Sequence, residues 1–354
     1  MAYSNILDPS AHFQTKVYTG TNANQSITND GNSDLQPDLI FASYRTTPPY
    51  TNHRAIIDSS RGRAKILESD TTAAEATTTN AAYDLVSFDT DGFTVGAVNS
   101  TSALNASGIS NVAWQWKANG GTTASNTDGV ISSTVQVNSD AGFSILTYTM
   151  GSGNETVGHG LGVTPDIVIT KARFRGDSNG FWSFYTTVLD GSLDYFKLNE
   201  DGYKFNSSLA APTSTVFTGA GSGTVAYRDF VAYCFASKQG YSKFGKYVGN
   251  GNANGPFVYT GFKPAFVLIK ADSNYKYWYI FDNKRNEFNL VNTGINPSLP
   301  DAEITNNDIG LDFLSNGFKI RNSSTTLNQN TTNMIYMAFA ENPFVAGGVP
   351  TTAR

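Results

Sequence analysis

Cysteine is nearly absent from this 354-residue sequence: there is one, Cys234, so no disulfide framework can staple the chain and packed cores must hold it together. It sits in Ala232-Tyr233-Cys234-Phe235-Ala236, a strand pattern in which a lone thiol reads as a small core residue rather than a nucleophile. Histidine is scarce too. The three, His12, His53 and His159, show no paired metal spacing, and His159 in its glycine-rich stretch reads as a turn residue packed against a neighbouring domain. Charged residues make up only 15%, with Lys and Arg scattered singly and a net charge of −5. That argues against nucleic acid or an anionic membrane as the main partner, since both call for basic patches. No apolar run reaches the length of a membrane span, and the first nine residues lack the basic and apolar regions of a secretory signal. The expectation is a protein made and folded in a cytoplasm, without membrane insertion. Amphipathic helical runs are missing, apart from a short candidate at residues 71–76.

What is present is aromatic and turn-rich. Aromatics reach 13%, Gly numbers 33, and Ser/Thr/Asn stretches join short β-prone runs. The predicted class is all-β.

An internal repeat organises the chain. An aromatic-then-glycine strand ending appears at Tyr18-Thr19-Gly20, Tyr148-Thr149-Met150-Gly151 and Tyr247-Val248-Gly249. A proline then opens an apolar strand at Pro37, Pro165 and Pro264; the spacing from Tyr148 to Pro165 and from Tyr247 to Pro264 is 17 residues in both. Asp-Gly or Asn-Gly turns precede Phe93, Tyr203 and Phe318. An aromatic strand closes each copy, with Trp114 and Trp116, Tyr233 and Phe235, and Met337 and Phe339 on one face. Trp182 occupies the place of Trp278. The order predicts three tandem repeats of a small β-sandwich or jelly-roll-like domain. A leader (1–11) precedes unit one (12–119); a linker with one strand (120–140) leads to unit two (141–238), unit three (239–345) and a tail (346–354).

Chemistry is harder to find. No nucleophile elbow or P-loop is present, and no metal or cofactor site is expected. The carboxylate pairs Asp190/Asp194, Glu200/Asp201 and Asp301/Glu303 fall in predicted turns, so glycoside hydrolysis, and with it a polysaccharide depolymerase, is a minor alternative. No catalytic residue is assigned. Asp58/Arg61 and Asp282/Arg285 recur at identical spacing and read as turns pinned by an Asp cap and an Arg–carboxylate bond. In Tyr275-Lys276-Tyr277-Trp278-Tyr279-Ile280, alternation sends Tyr275, Tyr277 and Tyr279 to one face. That row suits stacking on sugar rings, a subunit interface, or burial inside the domain.

The runs Gly142-Phe143-Ser144-Ile145-Leu146-Thr147-Tyr148, Val157-Gly158-His159-Gly160-Leu161-Gly162-Val163-Thr164-Pro165 and Ala338-Phe339-Ala340-Glu341-Asn342-Pro343-Phe344 closely resemble a repeat family of tailed-phage genomes, marine phages especially. The resemblance implies a virion structural protein of the tail-fibre, tail-tip or head-surface kind. It implies no catalytic residues. Expected partners are further copies of the chain, with a homotrimer first, other virion proteins, and a host surface glycan. A purely structural capsid-decoration role is the alternative.

Overall fold

In every repeat the closing aromatic strand lies in the middle of a sheet, flanked on both sides. The computed structural model describes residues 6–46, 53–98, 104–174, 180–221, 228–273, 275–343, 345–346 and 349–350. Ser110–Trp116 pairs antiparallel with Phe13–Thr19 on one side and Leu39–Tyr44 on the other, and the sheet continues through Ala55–Asp58 and Lys65–Glu68. Arg228–Phe235 stands likewise between Phe143–Met150 and Ile167–Ala172, followed by Ser183–Thr186 and Asp194–Lys197. Asn333–Phe339 stands between Ser242–Val248 and Phe266–Ala271, followed by Tyr279–Asp282. The chain is all-β; among the described residues only Pro9–Ala11 and Asn307–Ile309 form short 3-10 turns. The helix expected at 71–76 is absent. Its threonines favour extended backbone, and the stretch leads instead into the short strand Ala76–Thr77.

A smaller sheet covers one face of each large one. Unit one uses Gln25–Ile27, Gly92–Val95 and Leu85–Asp89, and unit three uses Phe257–Tyr259, Gly317–Ile320 and Leu311–Leu314. Unit two has only Glu155–Gly158 and Val216–Gly219. Each sandwich therefore has its own core, built around Ile40, Ile57 and Phe93, around Leu146, Val168 and Phe217, and around Val267, Phe281 and Phe318. The hairpin turns depend on glycine. Gly92 has φ 99°, and a Cβ on Gly317 would stand 2.1 Å from the Val258 carbonyl oxygen.

The opposite faces meet in a fourth core. Because side chains alternate along a strand, Trp114, Trp116, Tyr233, Phe235, Met337 and Phe339 point away from their own sandwiches into one cluster shared by all three units. Ladder register makes Trp116, Phe235 and Phe339 equivalent, opposite Leu39, Ile167 and Phe266. Their ring centroids form a triangle with sides of 6.4, 5.6 and 5.9 Å.

Polar contacts around this core are cyclic. Trp182 Nε1 of unit two donates to Glu68 O of unit one at 2.7 Å, and Trp278 Nε1 of unit three donates to Lys197 O of unit two at 3.1 Å. Arg54 holds the equivalent place in unit one, four residues before Asp58 as Trp182 is before Thr186, and its Nε donates to Asn296 O of unit three at 2.6 Å. A backbone bond also repeats around the ring, with donor and acceptor units exchanged: Glu75 N to Arg173 O, Lys204 N to Asp272 O and Glu303 N to Arg45 O, at 2.6, 2.9 and 3.0 Å. Lys171 and Lys270 each reach a carbonyl of the preceding unit, Thr72 O and Asp201 O, at 3.1 Å. Unit one has Ser43 there, and Arg54 supplies the missing donor through Nη2 to Asp301 O at 2.7 Å while Nη1 binds Ser43 Oγ. One guanidinium thus replaces an indole and an ammonium.

Three expectations change at the segment ends. The linker holds two strands, Ala124–Asn126 and Ser133–Asn138, and both extend the sheet of unit two. Gln136 within them donates back to Ser59 Oγ and Ser60 Oγ of unit one, both at 2.9 Å, so the alternating polar residues tie two units together. The leader is anchored, with Ile6 in the central cluster and Asp8 capping the turn at Pro9–Ala11. In the tail Val345–Ala346 pairs with Val349–Pro350; Phe344 and residues 351–354 lie outside the described residues.

Trp116→Ala is expected to cost about 3–5 kcal/mol, the usual loss for a fully buried large aromatic side chain. Because the central core is shared, unfolding followed by tryptophan fluorescence and by circular dichroism should stay one coincident transition; three resolved transitions would contradict the shared core. Arg54→Trp alone should destabilise by about 2 kcal/mol through unsatisfied buried groups. Adding Ser43→Lys, which installs the pair found in the other units, should recover part of that loss in urea titrations.

Candidate functional site

The recurring turn pairs are structural joints. Arg61 N and Arg285 N donate to Asp58 Oδ1 and Asp282 Oδ1 at 2.8 and 2.9 Å, and each guanidinium returns to the same carboxylate through Nε. Both carboxylates also take a donor from the next unit: Tyr233 Oη to Asp58 at 2.7 Å and Trp114 Nε1 to Asp282 at 3.0 Å. At the remaining junction Met337 stands in the donor position, and the facing pair has become Thr186 and Leu189. Losing the donor goes with losing the acceptor, since an unmatched buried carboxylate would be costly.

The other titratable groups are similarly occupied. Cys234 is fully buried, with its thiol pushed up by burial. Buried His159 has Nε2 against Thr213 O at 3.1 Å and Nδ1 accepting from Leu161 N, so its contacts lie inside unit two rather than with a neighbouring domain; burial lowers its pKa. Asp190 and Asp194 share Lys204, Glu200 pairs with Lys197, and Glu303 pairs with Arg45. Among the described residues no group of three metal-ligating side chains comes together.

The tyrosine row does not form one face. Pairing in this strand begins only at Tyr279, so alternation does not extend to the residues before it. Tyr279 lies over the core of unit three, stacked on Phe281, while Trp278 and Ile280 enter the central core. Tyr275 and Tyr277 project into solvent, and Tyr275 alone touches unit two, its ring 5.8 Å from that of Tyr203.

The open site is in unit two. Asp201-Gly202 was expected to make the hairpin seen at Asp91-Gly92 and Asn316-Gly317. It lies instead at the junction with unit three, where Asp201 O accepts from Lys270. Among the described residues the small sheet has no third strand, and a groove of about 610 Å³ lies over the large sheet. Its floor has changed in step. Register places Thr170, Ser183, Tyr185 and Tyr195 where unit one has Ala42, Ala55, Ile57 and Ile66. Unit three has Ile269, Tyr279 and Phe281 at three of these positions, so the floor of unit two carries more hydroxyls than that of either other unit. Tyr185 and Tyr195 lie in ring contact at 5.6 Å, Asn154, Asn206 and Ser208 form the rim, and Arg228 lines one side. Among the described residues no carboxylate lines the groove. Aligning the three units position by position would have exposed these hydroxyls; composition and motif searches pass over them.

The fold and groove define an all-β protein of three fused sandwich-like units with a groove over the large sheet of unit two. The chain belongs to the family described as Domain of unknown function (DUF7483), whose model matches residues 8–343 and so spans all three units. No curated protein and no solved structure matches it.

A further joint between units one and three carries a pH dependence. Lys284 Nζ lies 3.2 Å from Glu341 Oε1 and 2.7 Å from Asp30 Oδ1, with Lys16 on the other Asp30 oxygen at 3.0 Å. Burial raises the Glu341 carboxyl from its ordinary 4.5 to about 7, against the opposing pull of Lys284. A raised folded-state value means that the fold prefers the protonated acid. This contribution to stability is complete below pH 4.5 and is lost as pH rises through about 7. Glu341→Gln should gain on the wild type by about 3 kcal/mol between pH 4 and pH 8 in paired urea titrations. A difference that does not change with pH would contradict the assignment.

Proposed function

We propose that this chain is a non-enzymatic, surface-exposed structural protein of a virion and that the groove of unit two holds a host surface glycan. The observation that carries the glycan reading is the coordinated change in unit two: among the described residues a covering strand is absent, and Thr170, Ser183, Tyr185 and Tyr195 bring hydroxyls to the floor beside apolar residues such as Phe181 and Phe230. Sugars present hydroxyls to hydrogen bond and C–H faces to stack on rings, and this floor offers both. An apolar floor would instead suit a docked strand or a subunit contact. The virion assignment rests on the sequence resemblance to phage repeats and on a build without disulfides. The triangle of closing strands gives each large sheet face a partner within the same chain, so a homotrimer is not required to bury those faces.

The test is binding of the intact chain to an array of bacterial surface polysaccharides, repeated with Tyr195→Ala. Tyr195 is half-buried at the groove, so the substitution should weaken binding about tenfold while leaving the melting temperature nearly unchanged. No binding, or equal binding by the variant, would overturn the glycan reading. A particle density map showing the groove closed between subunits of the head lattice would favour a decoration role.

A further inference from the structure

Resting on the reading of the groove as a glycan site, we propose that its ligand is a linear, negatively charged polysaccharide that runs from unit two onto unit three. The first observation is a continuous ribbon of rings leading out of the groove. Tyr185 contacts Tyr195, Tyr195 stacks on Phe205 at 5.0 Å, Phe205 contacts Tyr203 at 5.3 Å, and Tyr203 meets Tyr275 of unit three at 5.8 Å. Tyr203 and Tyr275 are 44% and 69% exposed, so the ribbon reaches solvent as it crosses the junction. It ends at a second, shallower depression of about 670 Å³, lined by Tyr275, Lys276, Thr325, Gln329 and Asn330 among others. A single sugar ring would occupy one end only; a polymer uses the whole path.

The second observation is charge. The chain carries a net charge of −5, yet among the described residues neither depression has a carboxylate in its lining, and each contains a cation. Arg228 makes no side-chain hydrogen bond, and its Nε is buried without a partner. Lys276 bonds only the Thr325 hydroxyl, at 3.1 Å. Glu200 is engaged by Lys197 and Asp272 by Asn333, while Asp201, two residues before Tyr203, lies close to Lys270. Two cations that no carboxylate neutralises, at the two ends of an aromatic path, fit anionic groups spaced along a chain. Single-stranded nucleic acid also combines rings with negative charge, but it requires a cationic groove along the whole backbone, and here Lys197, over Phe205 between the two cations, is paired with Glu200.

The experiment measures binding of the intact chain to dextran against dextran sulfate, and to polygalacturonate against its methyl ester, each in graded lengths. The charged polymers should bind at least about tenfold more tightly at low salt, and the preference should shrink as salt rises. Chains long enough to reach Tyr275 should bind more tightly than short ones. Arg228→Gln combined with Lys276→Gln should remove the charge preference, either substitution alone should reduce it, and Tyr203→Ala should remove the gain with length while leaving short-chain binding in place. Neutral polymers binding as well as charged ones would overturn this proposal and leave the glycan reading standing. No polymer binding at all would overturn both, and tighter binding of oligothymidylate would assign the path to nucleic acid instead.

Discussion

Three aromatic rings, Trp116, Phe235 and Phe339, touch one another at the centre of the molecule, and most of the architecture answers to that contact. For them to meet, each closing strand must turn its large side chains away from its own sandwich. The side chains left on the inner face of those strands include Ala113, Ala232 and Ala338, whose small size lets the covering sheets approach. The units are thus not independent domains on a string. Each contributes one face to a private core and the other to a common one, and a single family model spanning them agrees with that arrangement.

The cyclic hydrogen bonds explain how three diverged copies remain compatible. A position is matched to its neighbour in the ring rather than to the equivalent residue elsewhere in the chain. Asp58 and Asp282 are kept where Tyr233 and Trp114 face them, and they give way to Thr186 where Met337 does. Ser43 and Arg54 differ together from the Lys and Trp of the other units because both serve the same pair of carbonyls. Buried polar groups left unmatched are costly, so changes of this kind come in sets.

Much of the fold was legible because strand periodicity and turn glycines act locally. The closing strands, the proline-led strands and the two true hairpins all follow from such signals. The central core was not, because alternation says which residues share a face and not what covers that face. The Asp201-Gly202 turn misled because the dipeptide also serves in connecting loops, and only its place against Lys270 decides its role. The tyrosine row failed where the strand had not yet begun. The groove was invisible to motif searches since its signal is a comparison between copies, hydroxyls in unit two against Ala and Ile in unit one.

Fusion of the three units into one chain also fixes how many grooves a molecule presents. Three identical subunits around an axis would display three equivalent grooves, whereas here, among the described residues, the small sheet has three strands in two units and two strands in the other. Each chain therefore presents the groove of unit two once. Any avidity for a repetitive surface must come from arraying many chains, with the spacing between chains, rather than symmetry within one, setting the effective concentration.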